Sequence, residues 1–109
     1  MTDGDGRSSE PDAPPPSGTP VLCRTVTIRN KRGMHARAAA KFVTLAETFG
    51  AAVDVVGGGQ TVSARSIMGL MMLGAGRGAD IELRAEGWDA KEALEALASL
   101  VEAGFHEQD

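Results

Sequence analysis

From Ala79 to Ala85 the chain alternates without a fault, with Ile81 and Leu83 on one side and Asp80, Glu82 and Arg84 on the other. Successive side chains of a strand point to opposite faces, so this segment reads as a strand with one face in a core and one in water. A second period of two runs through Val21–Arg29. There Val26 and Ile28 alternate with Thr25, Thr27 and Arg29, and four of these five residues are β-branched. Strands of this kind imply a sheet with one solvated face, so every helix must cover the other.

The remaining segments supply those helices. Ala36 to Phe49 puts Ala39, Phe42, Val43, Ala46 and Phe49 on one helical face, and Gly50 is expected to cap its end. Val53-Asp54-Val55 and Thr61-Val62-Ser63 flank Gly57-Gly58-Gly59, which reads as a hairpin turn. Ser66 to Leu73 is apolar enough for a short helix ending at Gly74. Asp89, followed three residues later by Glu92, is expected to cap a last helix striped by Leu94, Leu97, Ala98 and Val101 and ended by Gly104. The order is βαββαβα and the expected fold class is α+β.

Residues 1–20 stand apart. Pro11, Pro14, Pro15, Pro16 and Pro20 punctuate an acidic stretch with no large apolar residue after Met1, which reads as a disordered tail ahead of one domain over residues 21–109. No run approaches the roughly 18 apolar residues that span a bilayer, and the N-terminus has no signal-peptide pattern. The expected compartment is the cytoplasm. Cys23 is the only cysteine, so neither a disulfide framework nor a cysteine-based metal site is expected.

Net charge is −4, yet Thr25 to Ala46 carries Arg29, Lys31, Arg32, Arg37 and Lys41 with no acid, while Ala85 to Asp109 holds seven acids against Lys91. The concentrated positive region contains His35. A helix starting directly after His35 would turn unpaired backbone N–H groups and a partial positive charge toward whatever that side chain holds. Neutral imidazole is a nucleophile near pH 7, and its phosphoramidate is a good phosphoryl donor. Arg37 offers a planar fork for phosphate oxygens, and phosphoryl transfer needs mainly alignment and charge neutralisation. Spacing alone leaves a plain alternative, in which His35 is a capping histidine and Arg37 a solvated charge. His106 sits among acids at an end expected to fray and is assigned no role.

Ser66 occupies an N-cap position, which is compatible with a regulatory phosphorylation there. Ile67, Met68, Leu70, Met71 and Met72 exceed what one face of a short helix can bury, so part of them, Met68 and Met71 in particular, is expected to serve partner docking. Two other signals dissolve. Gly74-Ala75-Gly76-Arg77-Gly78-Ala79 matches a dinucleotide-binding pattern by letters, but it follows a helix and precedes a strand, the reverse of the required context. An RNA-binding sheet would present aromatic residues, and none of Phe42, Phe49, Trp88 and Phe105 lies in an expected strand. No nucleic-acid partner is expected.

Gly33-Met34-His35-Ala36-Arg37-Ala38-Ala39 followed by Phe42, together with Ala64-Arg65-Ser66-Ile67-Met68-Gly69-Leu70-Met71, resembles the two signature blocks of the HPr family. These are the histidine phosphocarriers of the bacterial phosphoenolpyruvate-dependent phosphotransferase system, and the similarity runs from about Arg24 to Phe105. The resemblance implies an open-faced β-sandwich, with a four-stranded antiparallel sheet and three helices on one face. It implies that His35 is phosphorylated by enzyme I, at Nδ1, and passes the group to an enzyme IIA protein or domain with Arg37 assisting. It further implies Ser66 as a regulatory site for an HPr kinase/phosphorylase; Lys41, with Met68 and Met71, is expected in partner contact. A monomeric transfer intermediate without cofactor or metal is expected, not an independent enzyme.

One position departs from the family, which commonly has proline where this chain has Ala38. Alanine is a good helix former, so the helix start is expected to form with less rigidity. Gly104-Phe105 and His35-Ala36-Arg37 look more like a nitrogen-related branch, whereas Ser66-Ile67-Met68-Gly69 is similar to carriers under an HPr kinase. Sugar uptake and nitrogen regulation both stay open. The runner-up reading is a regulatory adaptor whose state at Ser66 or His35 controls a partner.

Overall fold

The computed structural model describes residues 20–108. The tail reading for residues 1–20 therefore falls, apart from Pro20, outside the described residues.

The order is β1 (Val21–Thr27), α1 (Ala36–Ala46), β2 (Ala52–Gly57), β3 (Gln60–Ser63), α2 (Ile67–Met72), β4 (Asp80–Glu86) and α3 (Ala90–Glu102), as the periodicity implies. The strands form one antiparallel sheet in the order β1-β4-β2-β3. The last strand in sequence is thus an inner one, which explains the clean alternation from Ala79 to Ala85. Ile81 and Leu83 lie opposite Val26 and Val55 on neighbouring strands, and all four are buried. Asp80, Arg84, Asp54 and Thr25 are exposed on the other face. Phe42 and Val43 of α1, Leu70 of α2 and Leu97 and Val101 of α3 complete the core. Phe42, Leu83 and Leu97 have no exposed surface, and truncation at such positions costs about 2–5 kcal/mol.

Three expectations change in detail. α1 ends at Ala46, because Thr48 and Phe49 donate to the carbonyls three residues back (3.0 and 3.2 Å) in a tightened last turn. Gly50 is not its cap; a Cβ there would stand 2.7 Å from Nε1 of Trp88, so the glycine serves a close approach. Asp89 precedes α3 without capping it. Its buried carboxylate instead accepts hydrogen bonds from the backbone N–H groups of Gly50 (2.9 Å) and Ala51 (2.8 Å). The tertiary partner wins because those two donors would otherwise be left unpaired where the chain enters β2.

This topology gathers three connections at one end of the sheet. Thr27 pairs with Asp80, so the segment after β1 and the loop before β4 meet there. α3 packs on β1 and ends at the same place, where Gly104 lies against Asn30. Among the described residues, no helix is long and apolar enough to cross a membrane, and no group of three or more His, Cys, Asp or Glu could hold a metal.

Candidate functional site

The segment from Asn30 to His35 is shaped by one glycine. Gly33 has a φ of +67°, and a Cβ there would stand 2.5 Å from the Ala75 carbonyl oxygen and 2.8 Å from Gly76 Cα. Only glycine suits both the dihedral and the gap. Its neighbour Met34 is buried and donates its backbone N–H to Ala75 (3.0 Å), fastening the segment to the loop before β4. His35 then takes an extended conformation and becomes the N-cap of α1.

The cap is made by the imidazole. Nδ1 accepts a hydrogen bond from the Arg37 backbone N–H at 3.2 Å, satisfying one of the donors that a helix start leaves unpaired. A nitrogen that accepts has no proton, so the neutral ring carries its proton on Nε2. Nε2 in turn meets the carboxylate Oε2 of Glu107. The ring is thus held from both sides, with the Nδ1 lone pair turned toward the helix start.

Glu107 reaches His35 because the chain after α3 turns left-handed. Gly104, Phe105 and His106 have φ of 64°, 56° and 58°. For the two non-glycine residues this costs about 1–2 kcal/mol each. Complete burial of Phe105 returns about 1.5–3 kcal/mol, and Lys41 Nζ donates to its carbonyl oxygen at 2.7 Å. Asn30, itself buried, donates from Nδ2 to Gly33 O (2.8 Å) and to Glu107 Oε1 (3.0 Å). Burial raises the pKa of Glu107, but the hydrogen bonds from Asn30 and His35, the charge of His35 in its protonated form and the charge of Arg32 outweigh it. The net result lies below the usual carboxylate range.

Beside this ring, Arg32, Arg37, Lys41, His106, Glu107 and Gln108 line a cavity of about 350 Å³. Four of the six are basic side chains, which suits an anion. Arg37 and Lys41 share this wall, and His35 adjoins it through the Arg37 backbone N–H and Glu107. Lys41, expected in partner contact, has its ammonium on the Phe105 carbonyl. His106, assigned nothing from sequence, belongs to the cavity wall. Asn30 and Glu107 were also missed. Asn30 carries a turn signal ahead of Gly33, whereas nothing local to Glu107 points to a partner 72 residues away.

Ser66 caps α2, its hydroxyl oxygen accepting from the Gly69 N–H at 2.9 Å. Leu70 is the one residue of this helix that is buried; Met68 and Met72 are 68% and 67% exposed, with Ile67 and Met71 at about 40%. α2 packs against α1, so this apolar surface sits on the helix next to the one His35 begins.

A family model described as "PTS HPr component phosphorylation site" matches residues 22–103. The phosphocarrier protein NPr of Shewanella violacea is 49% identical over 86 residues, spanning 79% of this chain and 94% of its own. The phosphocarrier protein HPr of Cupriavidus necator is 46% identical over 87 residues, 80% of this chain and 98% of its own. Among solved structures, an HPr from Thermoanaerobacter tengcongensis superposes with a TM-score of 0.76 at 43% identity, covering 81% of this chain and 99% of that one. The sheet order, the capping histidine and this coverage agree, and the chain belongs to the HPr family of phosphocarrier proteins.

Proposed function

We propose that His35 accepts a phosphoryl group from enzyme I on Nδ1 and passes it to an enzyme IIA-type protein or domain. The observation that supports this best is the Arg37 N–H pointing at Nδ1. As the Arg37 N–H releases it, the Nδ1 lone pair attacks phosphorus while the donor's bond to phosphorus breaks, its electron pair leaving with the donor. The freed N–H can turn to a phosphoryl oxygen. No proton has to leave His35, because the ring proton is on Nε2. The phosphoryl oxygens then fall where the backbone donors of the α1 start and the basic wall of Arg32, Arg37 and Lys41 can neutralise them. Onward transfer reverses these steps against a new acceptor. This is relay chemistry in the cytoplasm, in which the protein is a carrier and not an independent catalyst.

Ser66 is the proposed regulatory site for an HPr kinase/phosphorylase. Its hydroxyl adjoins the exposed methionines Met68 and Met71, the proposed docking surface. A phosphate there adds about −1.5 to −2 charge next to any partner lying across both helices.

The test is incubation with enzyme I and labelled phosphoenolpyruvate. One acid-labile, alkali-stable phosphoryl group is expected on the wild type and none on His35→Ala. Full labelling of His35→Ala would overturn the assignment.

A further inference from the structure

We infer that Asn30 and Glu107 form a tautomer lock on His35, holding its proton on Nε2 so that Nδ1 keeps its lone pair. The inference rests on the proposed use of Nδ1, and it concerns two residues that lie outside the signature around His35.

The chain of hydrogen bonds has only one consistent direction. Asn30 Nδ2 is fixed as the donor by two acceptors, the Gly33 carbonyl and Glu107 Oε1. Turning the amide over would put its oxygen against both. Glu107 must therefore accept at Oε1 from Asn30 and at Oε2 from His35 Nε2. A carboxylate has an acceptor at each end and can do both at once. On the other side of the ring, the Arg37 N–H demands an acceptor at Nδ1. The two demands agree on one tautomer, and a metal-bound histidine is held by a partner on its second nitrogen in the same way. During transfer the N–P bond forms and breaks at Nδ1 while the Nε2 proton stays opposite Glu107. The Arg37 N–H must give up Nδ1 as phosphorus arrives, but no proton has to be exchanged on the ring between cycles. Glu107 acts through His35 and is a positioning residue.

The direction of the chain makes Glu107→Gln a sharp probe. Glutamine has nearly the same shape, but one end is a donor. With its oxygen toward His35 it sets NH₂ against the Asn30 NH₂. With its NH₂ toward His35 it demands a lone pair at Nε2, which conflicts with the Arg37 N–H at Nδ1. A packing role would be rescued by glutamine; the lock would not.

The experiment is nitrogen-15 NMR of the full chain at mildly alkaline pH. Spectra of wild type, Glu107→Gln and Glu107→Ala are compared, with His106→Gln assigning the second histidine. The wild type should show a pyridine-type Nδ1 and a protonated Nε2 at His35. In both Glu107 variants the two nitrogen shifts should move toward each other, glutamine being no better than alanine, while helix content is kept. Phosphoryl acceptance should fall about tenfold in both, the lower end of what such outer partners contribute. Wild-type shifts in Glu107→Gln, or full rescue of acceptance by glutamine, would overturn the lock. The NMR needs no phosphoryl donor, so a protein that shows the lock but takes no phosphate would refute the proposed function and leave this inference standing.

Discussion

The starts of α1 and α2 are built on one principle and maintained in different ways. Each is capped by a side chain accepting a backbone N–H, His35 Nδ1 from Arg37 and Ser66 Oγ from Gly69. The serine cap is local, closed within four residues and beside a surface of exposed methionines. The histidine cap is held by residues from three separate parts of the chain: Ala75 fastens Met34, Asn30 braces Gly33, and Glu107 grips the far side of the ring. The helix start proposed to hold a reactive group in one orientation has been given tertiary support. The start proposed for regulation is left accessible to another protein.

Substituting the two caps should separate them most. His35→Ala should abolish phosphoryl acceptance from enzyme I, whereas Ser66→Ala should change it less than about twofold and cost about 1 kcal/mol of stability as a lost cap. Comparable losses of acceptance in both would erase the distinction.

The glycines near each cap give the next contrast. Gly33→Ala puts a Cβ 2.5 Å from a backbone oxygen at positive φ, so it should destabilise by about 2–4 kcal/mol. At Gly69 the new Cβ meets side-chain atoms of Ser66 and Val62 at 3.0 and 3.1 Å. Ser66 Oγ is the capping acceptor and Val62 Cβ is tied to its backbone, so the new Cβ crowds the cap. The gain of about 1 kcal/mol in helix propensity offsets part of this, and Gly69→Ala should cost clearly less than Gly33→Ala. Thermal or denaturant melts of the two variants check this.

Phosphorylated Ser66 should slow acceptance at His35 several-fold with little change in melting temperature, because a helix start tolerates the charge while an acidic partner does not. Enzyme I kinetics on the phosphorylated protein decide it; wild-type rates would reduce Ser66 to a cap.

The smallest effect concerns acid. The pKa of Glu107 lies below its unfolded value, so its contribution to stability is present above the ordinary carboxylate range and is lost as pH falls through the lowered value. The melting difference between wild type and Glu107→Ala should be constant from about pH 5 to 6 and shrink toward zero at lower pH. A difference that persists in strong acid would show that the turn after α3 is held without the carboxylate.

The element order and the identity of His35 were legible because they rest on local signals. Val26, Ile28, Ile81 and Leu83 announce strands by their period, and Gly33-Met34-His35 announces a turn leading into a helix. Asp89 was misread for the same reason. Its spacing to Glu92 fits a cap, yet its carboxylate closes on Gly50 and Ala51 across the fold. His106 and Glu107 read as an acidic end bound to fray, because sequence alone does not reveal that Phe105 is swallowed by the core and drags both into the site.

The amino-acid sequence by itself determined a sheet with one solvated face, three covering helices and a histidine at a helix start. Each follows from periodicity and capping chemistry within a few residues. Only the tertiary structure decided which nitrogen of that histidine carries the proton, because the answer depends on hydrogen bonds between Asn30, His35 and Glu107. A side chain's donors and acceptors are written in its formula, but their direction is set by what lies across from them, and here that partner arrives from the far side of the fold.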